Sequence, residues 1–193
     1  RSAHVEAVEP HPMLSGLMAR NVDRVGVGNR VRVHPIALGA SPGCGELVSA
    51  RTTNLGQTAV RSGGGGAVEV DTMDRRFLTN STPVRLVKID VEGGELSVVK
   101  GGRRLLARDR PVVVLEADDT AQRAALTREL ASLGYRRLPW TFCSTPTFVF
   151  TACWQDWVRG VLSPKRLWRR LVATADRWLH AWRDGSANST GAS

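Results

Sequence analysis

Acidic residues and glycines that could form a ligand site are concentrated in residues 84–95, which read Val-Arg-Leu-Val-Lys-Ile-Asp-Val-Glu-Gly-Gly-Glu. The β-branched and apolar first half of this stretch is typical of a buried strand. Asp90 and Glu92 follow at its end, two glycines allow the backbone to turn, and Glu95 begins a predicted helix. A strand, acids, a glycine turn and a helix are the layout of a ligand-binding edge in an α/β sheet, so we predict a polar ligand site here.

Each of these acids also has a purely structural interpretation, in which it is solvated or stabilises the turn. Glu92 and Glu95 can cap the glycine turn, or they can pair with Lys88 or with a nearby arginine. Lys88 points the same way as Asp90 because side chains alternate along a strand. A Lys88–Asp90 ion pair is therefore an alternative role for that acid.

Two further predicted strands end in an acid, at Glu9 and at Glu116. Residues 3–8 alternate between apolar and polar side chains, and the valine-rich residues before Glu116 are typical of a buried strand. Parallel strands place their carboxyl ends at one edge of the sheet, where ligands bind. We therefore expect Glu9, Asp90 and Glu116 to share one edge.

The elements that must position these acids alternate along the chain as β-α-β, a flap, and then α-β-α-β-α-β-β. This order predicts a three-layer α/β/α sandwich around a largely parallel sheet, in which 84–91 is the central strand and the last two strands form an antiparallel pair. The predicted strands cover 3–8, 31–38 with Pro35 near an edge or bulge, 46–50, 58–61, 68–70, 84–91, 111–116, 135–138 and 147–152. The predicted helices cover 13–25, 71–78, 95–108 with a glycine pair inside, and 118–133 followed by Gly134.

Composition and charge are those of an ordinary globular protein and limit the partners. The 193 residues suffice for one domain with a core, no apolar run is long enough to span a membrane, and no secretory signal is visible. The net charge of +9 favours anionic partners, but no basic strip interleaved with aromatic residues indicates specific nucleic-acid binding outside the tail. The three cysteines and four histidines fit no metal motif, so we expect no metal site and free thiols in a reducing cytoplasm.

The composition changes at Trp154, where a basic, tryptophan-rich region begins that runs to residue 184. Pro164 divides it into two predicted helices, of which the second has an apolar stripe and an arginine-rich face. Such a helix packs on its own domain or on a second subunit, or it lies on an anionic membrane surface. We predict a main domain over 1–153, a helical extension over 154–184, and a disordered tail over 185–193.

Five short motifs occur in the order in which they stand in one enzyme family. They are Val8-Glu9-Pro10-His11-Pro12, Ala37-Leu38-Gly39, Val70-Asp71-Thr72-Met73-Asp74, Lys88-Ile89-Asp90-Val91-Glu92-Gly93-Gly94-Glu95 and Leu133-Gly134-Tyr135. Over roughly residues 5–150 the chain resembles the FkbM family of S-adenosylmethionine-dependent methyltransferases. The resemblance implies the Rossmann-like class I methyltransferase fold, with a seven-stranded sheet whose last strand is antiparallel.

The resemblance also implies S-adenosyl-L-methionine as the cofactor and assigns residues to it. Glu9 would accept the two ribose hydroxyls, because one carboxylate can accept both O–H bonds, and Pro10 would lie beside it. Ala37 and Leu38 would line the adenine ring. Asp90 would lie next to the transferred methyl group.

By the same resemblance, Asp90, Glu92 and Glu116 are the candidate catalytic residues. Methyl transfer is an in-line displacement, in which the protein positions the acceptor and, for a hydroxyl, removes or shares its proton. A carboxylate at any of these three positions could be that general base. The implied function is O-methylation of a small molecule, a glycan or a secondary metabolite.

One motif of the family is not found in this sequence. It is a first strand that ends in an Asp-x-Gly-Ala-Asn-x-Gly loop, which holds the methionine part of the cofactor. Because residue 1 is Arg rather than Met, we interpret the sequence as a truncated or processed piece, and we expect it to bind the cofactor weakly or not at all. The alternative is a non-catalytic remnant of the fold that acts as a binding or interaction module.

Overall fold

The strands of the protein form three sheets in the computed structural model, which describes residues 3–49, 58–62, 67–117, 119–142 and 146–152. One sheet contains two strands, and each of the other two contains four. Helices are interspersed with strands along the described chain, so the predicted α/β class is confirmed.

The first unit is a parallel β-α-β motif. β1 (Val5–Val8) pairs with β2 (Val31–His34), and α1 (Pro12–Val25) connects them. α1 begins after His11, whose ring Nδ1 accepts a hydrogen bond from a backbone N–H of the first turn at 3.2 Å. It ends at Gly26, whose φ of 70° lies in the left-handed region that favours glycine. The parallel pairing expected of this β-α-β unit is therefore confirmed.

Pro35 separates two short strands that belong to different sheets, so the prediction of one strand over 31–38 is wrong. β2 ends just before it, and β3 (Ala37–Leu38) pairs in parallel with β6 (Val68–Asp71). Proline has no N–H to donate to a ladder and fixes its own φ, which stops a strand. The chain therefore moves from the first sheet to the second at this residue.

The predicted flap is a hairpin that completes the second sheet. β4 (Gly43–Ser49) pairs antiparallel with β5 (Thr58–Ser62) and with β6, which gives the order β3-β6-β4-β5. This sheet has a small apolar cluster of its own, made of Ala37, Val68 and Val70 with Leu47 and Val60 packed against them. The loop of the hairpin and the glycine run lie outside the described residues.

The third sheet contains the strands from the second half of the chain. β7 (Leu86–Ile89) and β8 (Val112–Glu116) are parallel, and β10 (Thr147–Thr151) lies antiparallel between β8 and β9 (Arg136–Phe142). The order is β7-β8-β10-β9. The predicted antiparallel pair at the end of the chain is confirmed, as is the antiparallel direction of the last strand.

Four helices pack on this third sheet and enclose the main core. They are α2 (Met73–Phe77), α3 (Glu95–Gly101), α4 (Arg103–Asp109) and α5 (Thr120–Ser132). The core is largely apolar, and its largest fully buried side chains are Leu105, Leu106, Leu115, Leu126, Leu130, Phe148 and Phe150. Removal of this surface from water stabilises the fold by roughly 25 cal/mol per Å².

The prediction of a central, buried strand over 84–91 is wrong in extent and in position. The strand is shorter, and it lies at the edge of its sheet within the described part of the chain. Leu86 and Val91 are 47% and 38% exposed, and Ile89 is the buried side chain of β7. An apolar sequence predicts burial only if neighbours cover both faces of the strand, and here one face is open.

The described residues contain no helix that is both long enough and apolar enough to span a membrane. Residues 153–193 lie outside the described part of the chain. The predicted tryptophan-rich extension, the predicted disordered tail and the domain boundary between them therefore stay predictions.

Candidate functional site

Asp90 and Glu116 lie at the ends of neighbouring parallel strands. Ile89 of β7 is in register with Leu115 of β8, so the acid that follows each of them stands at the same level of the sheet. Asp90 is exposed and Glu116 is half-buried. Two of the three acids expected at one edge are therefore brought to adjacent strand ends, as the sequence predicts.

The Lys88–Asp90 ion pair proposed from strand alternation is present. Lys88 Nζ donates to Asp90 Oδ2, and both side chains are more than half exposed. An exposed pair of this kind contributes only about 0–1 kcal/mol to stability. The pair leaves the Asp90 carboxylate open to solvent and to ligands.

Glu95 is buried beneath the glycine turn, with 4% of its surface exposed. Its Oε1 accepts a hydrogen bond from Gly93 N at 3.4 Å, and its Oε2 accepts one from Gln122 Nε2. Burial raises the pKa of the Glu95 carboxyl above its ordinary value, and hydrogen bonds from backbone N–H groups of the turn partly offset this rise. Glu95 therefore has a structural role, because its carboxylate is hydrogen-bonded to the backbone of the turn.

The turn itself requires a glycine at one position. Gly93 has a φ of 84°, in the left-handed region that residues with a side chain rarely adopt. The next residue, Gly94, has ordinary right-handed dihedral angles and precedes α3. Glu92, between Asp90 and the turn, is exposed. The loop thus presents two acids to solvent above one buried acid.

Glu9 follows β1, in the two-stranded sheet. Its Oε1 accepts a hydrogen bond from His11 N at 2.8 Å, which orients the carboxylate at the start of α1. The side chain is half-buried, and the described residues supply no donor to its Oε2. β1 pairs with β2 alone among the described strands, so no hydrogen-bonded strand joins the end of β1 to the ends of β7 and β8.

The remaining residues assigned to the cofactor differ in exposure. Pro10 is half-buried next to Glu9. Ala37 is 4% exposed and belongs to the apolar cluster of the second sheet, whereas Leu38 is half-buried against the main core. Their assignment to the adenine ring stays a prediction.

The acids of the Val70–Asp74 motif have structural roles. Thr72 Oγ1 caps α2 by accepting a hydrogen bond from Arg75 N at 3.0 Å. The Asp74 carboxylate accepts hydrogen bonds from two backbone N–H groups in the first turn of α4, at 3.0 Å from Arg104 and 2.7 Å from Leu105. This aspartate joins α2 to α4, a contact between distant residues that nothing in the local sequence indicates.

Gln122 is the residue of this region that the sequence did not reveal. It lies in the first turn of α5, where Asp119 Oδ2 caps the helix by accepting from Gln122 N at 2.7 Å. Its side chain reaches the buried Glu95. A single glutamine in a polar helix turn carries no signal by itself. No group of three or more acidic, histidine or cysteine side chains in the described chain could hold a metal ion.

Comparisons with known proteins bear on the family and on the fold of the chain. A family model described as Methyltransferase FkbM domain matches residues 1–137. Among solved structures, the methyltransferase FkbM from Methylobacillus flagellatus KT is similar, with a TM-score of 0.53 at 19% sequence identity. The METTL16 methyltransferase domain gives a TM-score of 0.42 at 14% identity, a likeness too weak to support an inference. The curated proteins contain no significant match.

These matches cover most of this chain but less than half of each solved structure. The match to the Methylobacillus structure covers 77% of this chain and 36% of that one, and the match to METTL16 covers 76% of this chain and 49% of that one. The chain therefore spans little more than a third of the length of the first structure. At these identities the likeness shows the fold, and the predicted fold class is confirmed.

Proposed function

Since the chain belongs to the methyltransferase FkbM domain family and has the fold of a class I methyltransferase, we propose that it transfers a methyl group from S-adenosylmethionine to a hydroxyl group. The acceptor would be a small molecule, a glycan or a secondary metabolite. Bound S-adenosylmethionine would supply the methyl group as an electrophile on a sulfonium.

The observation that carries this proposal is the register of β7 and β8. It sets Asp90 and Glu116 at neighbouring strand ends, on the edge where α/β sheets bind ligands. Asp90 is exposed at this edge beside Lys88, and in the proposed reaction its carboxylate accepts the proton of the acceptor hydroxyl. Glu116, half-buried on the next strand, can accept a second hydrogen bond from the acceptor and fix its orientation.

The residues around Glu9 fit the sugar part of the cofactor. One oxygen of this carboxylate is fixed by the backbone N–H of His11. The other has no donor among the described residues and can accept from a ribose hydroxyl. Because hydrogen bonds to a charged acceptor are stronger than neutral ones, this single side chain would discriminate a ribose from an apolar group.

The proposal is tested by exchanging Asp90 for asparagine in the full-length natural protein. Asp90→Asn keeps the shape of the side chain but cannot take up a proton. We expect the rate of methyl transfer from radiolabelled S-adenosylmethionine to a panel of hydroxyl acceptors to fall by about 10²–10⁴-fold. Turnover equal to that of the wild type would refute the assignment of Asp90 as the base.

One observation favours a second candidate function, a binding module without catalysis. The described strands leave β1 and β7 in separate sheets, so Glu9 and Asp90 are not joined by one hydrogen-bonded sheet. A full-length protein that binds S-adenosylmethionine but transfers no methyl group to any acceptor of the panel would support this candidate over the enzyme.

A further inference from the structure

A series of hydrogen bonds joins the loop after β7, which carries Asp90 and Glu92, to the start of α5, the helix that follows Glu116. Asp119 Oδ2 accepts from Gln122 N at 2.7 Å, Gln122 Nε2 donates to Glu95 Oε2, and Glu95 Oε1 accepts from Gly93 N at 3.4 Å. Gly93 belongs to the loop after β7, and Asp119 belongs to the connection after β8. These contacts thus link the loop that carries Asp90 and Glu92 to the first turn of α5, the helix that follows β8, without touching Asp90 or Glu116 directly.

Burial distinguishes Glu95 from an ordinary acid in the first turn of a helix. Such acids usually lie in solvent, where they interact with the helix dipole. Glu95 is instead 4% exposed, where α3 packs against α5. A buried carboxylate is costly unless it is fully hydrogen-bonded. Here one oxygen of the Glu95 carboxylate is hydrogen-bonded by the backbone of the turn and the other by Gln122.

We propose that Glu95 and Gln122 are positioning residues, which set the placement of the Asp90–Glu92 loop relative to Glu116. The proposal rests on the function proposed above, in which these acids hold the acceptor. The turn alone cannot fix this placement, because Gly93 and Gly94 leave its backbone free to move. A displacement of the reacting groups by about 1 Å can reduce the rate by about 10²-fold.

The pair can be broken and then restored by exchange of its two partners. In Gln122→Glu two carboxylates face each other, whereas in Gln122→Ala the Oε2 oxygen of Glu95 is left buried without its donor. The double variant Glu95→Gln with Gln122→Glu reverses the pair, because the new amide at 95 donates to 122 while its oxygen still accepts from Gly93 N. Reversal therefore restores both hydrogen bonds.

A matched control is available on the other end of α5. Arg103 Nη1 of α4 donates to Glu129 Oε1 of α5, an ion pair that also joins two helices but lies two turns from Gln122. Glu129→Gln weakens this contact between helices without touching either loop. Variants are compared at equal fraction folded, which chemical denaturation measures.

The first measurement is hydrogen exchange of the peptide that contains residues 90–94. We expect faster exchange in Gln122→Ala and Gln122→Glu, and a return to the wild-type rate in the reversed pair. Exchange should be unchanged in Glu129→Gln. This readout needs no substrate, so it remains valid even if the protein transfers no methyl group.

The second measurement is steady-state methyl transfer by the full-length protein. We expect kcat to fall by about tenfold to a hundredfold in both Gln122 variants, with the KM for S-adenosylmethionine unchanged, and to recover in the reversed pair. Unchanged exchange and unchanged kcat in the single variants would overturn the proposal. Faster exchange in a protein whose wild type is inactive would instead refute the proposed function and leave the structural link intact.

Discussion

A Cβ atom added to Gly101 would lie 1.9 Å from the carbonyl oxygen of Gly39. The end of α3 therefore touches the backbone of the loop after β3, and this contact joins the second sheet to the helices of the third. Ser97 of the same helix supports the contact, since its Oγ accepts a hydrogen bond from Ala40 N at 3.0 Å. Only a residue without a side chain fits at position 101.

We predict that Gly101→Ala destabilises the protein, because the obstructing atom belongs to the backbone and cannot rotate away. The expected loss in the free energy of unfolding is about 1–3 kcal/mol, the usual cost of overpacking. Urea denaturation followed by circular dichroism measures it. The matched control is Gly16→Ala in α1, where an added Cβ meets no atom within 4 Å and should stabilise the helix by about 1 kcal/mol. Equal effects of the two substitutions would contradict the prediction.

Tyr135 gives a prediction about alkaline pH. Its hydroxyl donates to Leu106 O at 3.2 Å, and burial raises the pKa of Tyr135 to about 12, an effect that the nearby Arg110 partly offsets. A folded-state pKa above the unfolded value of 10.0 means that the stabilisation is complete below pH 10 and is lost as the pH rises towards 12. Tyr135→Phe should lose about 1 kcal/mol at neutral pH.

The check is the free energy of unfolding measured at several pH values between 9 and 11.5, a window of roughly one unit on either side of the ordinary tyrosine pKa. The stability of the wild type should fall more steeply across this window than that of Tyr135→Phe. Parallel curves for the two proteins would show that the buried hydroxyl does not titrate with folding.

Local sequence signals predicted those parts of the fold whose cause is local. Gly134, with a φ of 81°, ends α5 as expected, and Asp119 caps that helix. The move of the chain at Pro35 from one sheet to another was missed, because proline shows where a strand stops but not where the chain goes next. The exposure of Leu86 was missed because burial depends on neighbours that are distant in sequence.

The candidate site also contains residues that the sequence predicted and one that it did not. Asp90 and Glu116 were found because acids that end apolar strands are visible in the sequence, and parallel pairing then brings them together. Gln122 was missed because its role depends on how α3 and α5 pack. A residue that acts through a contact between two helices has no pattern of its own in either of them.

Glu95 gives a prediction about the pH range between acid and neutral. Burial raises its pKa above the ordinary value of 4.5, so the folded state favours the protonated carboxyl. This contribution to stability is complete below pH 4.5 and is lost as the pH rises through the folded-state pKa. Glutamine cannot ionise at this position. The free energy of unfolding of Glu95→Gln minus that of the wild type should therefore be larger at pH 7 than at pH 4. Guanidinium denaturation at both pH values measures the difference, and a gap that is the same at both would contradict it.

Glu9 gives a prediction about cofactor binding. Glu9→Gln keeps an oxygen for the N–H of His11, but it replaces the second carboxylate oxygen with an amide that cannot accept from a ribose hydroxyl. Loss of a hydrogen bond to a charged acceptor costs about 1.5–3 kcal/mol, so the Kd for S-adenosylmethionine should rise by roughly 10–150-fold. Calorimetric titration of the full-length protein measures this change.

The matched control for this prediction is Glu6→Gln, in β1, the strand that Glu9 follows. Glu6 Oε2 pairs with His34 Nε2 at 2.6 Å, a contact between β1 and β2 that is separate from the carboxyl end of β1. Its substitution removes the same charge from the same sheet, so any effect of net charge on an ionic ligand appears in both variants. A Kd that rises equally in the two would assign the effect to charge in general. A Kd that rises only in Glu9→Gln would assign it to the one carboxylate that His11 orients at the end of β1.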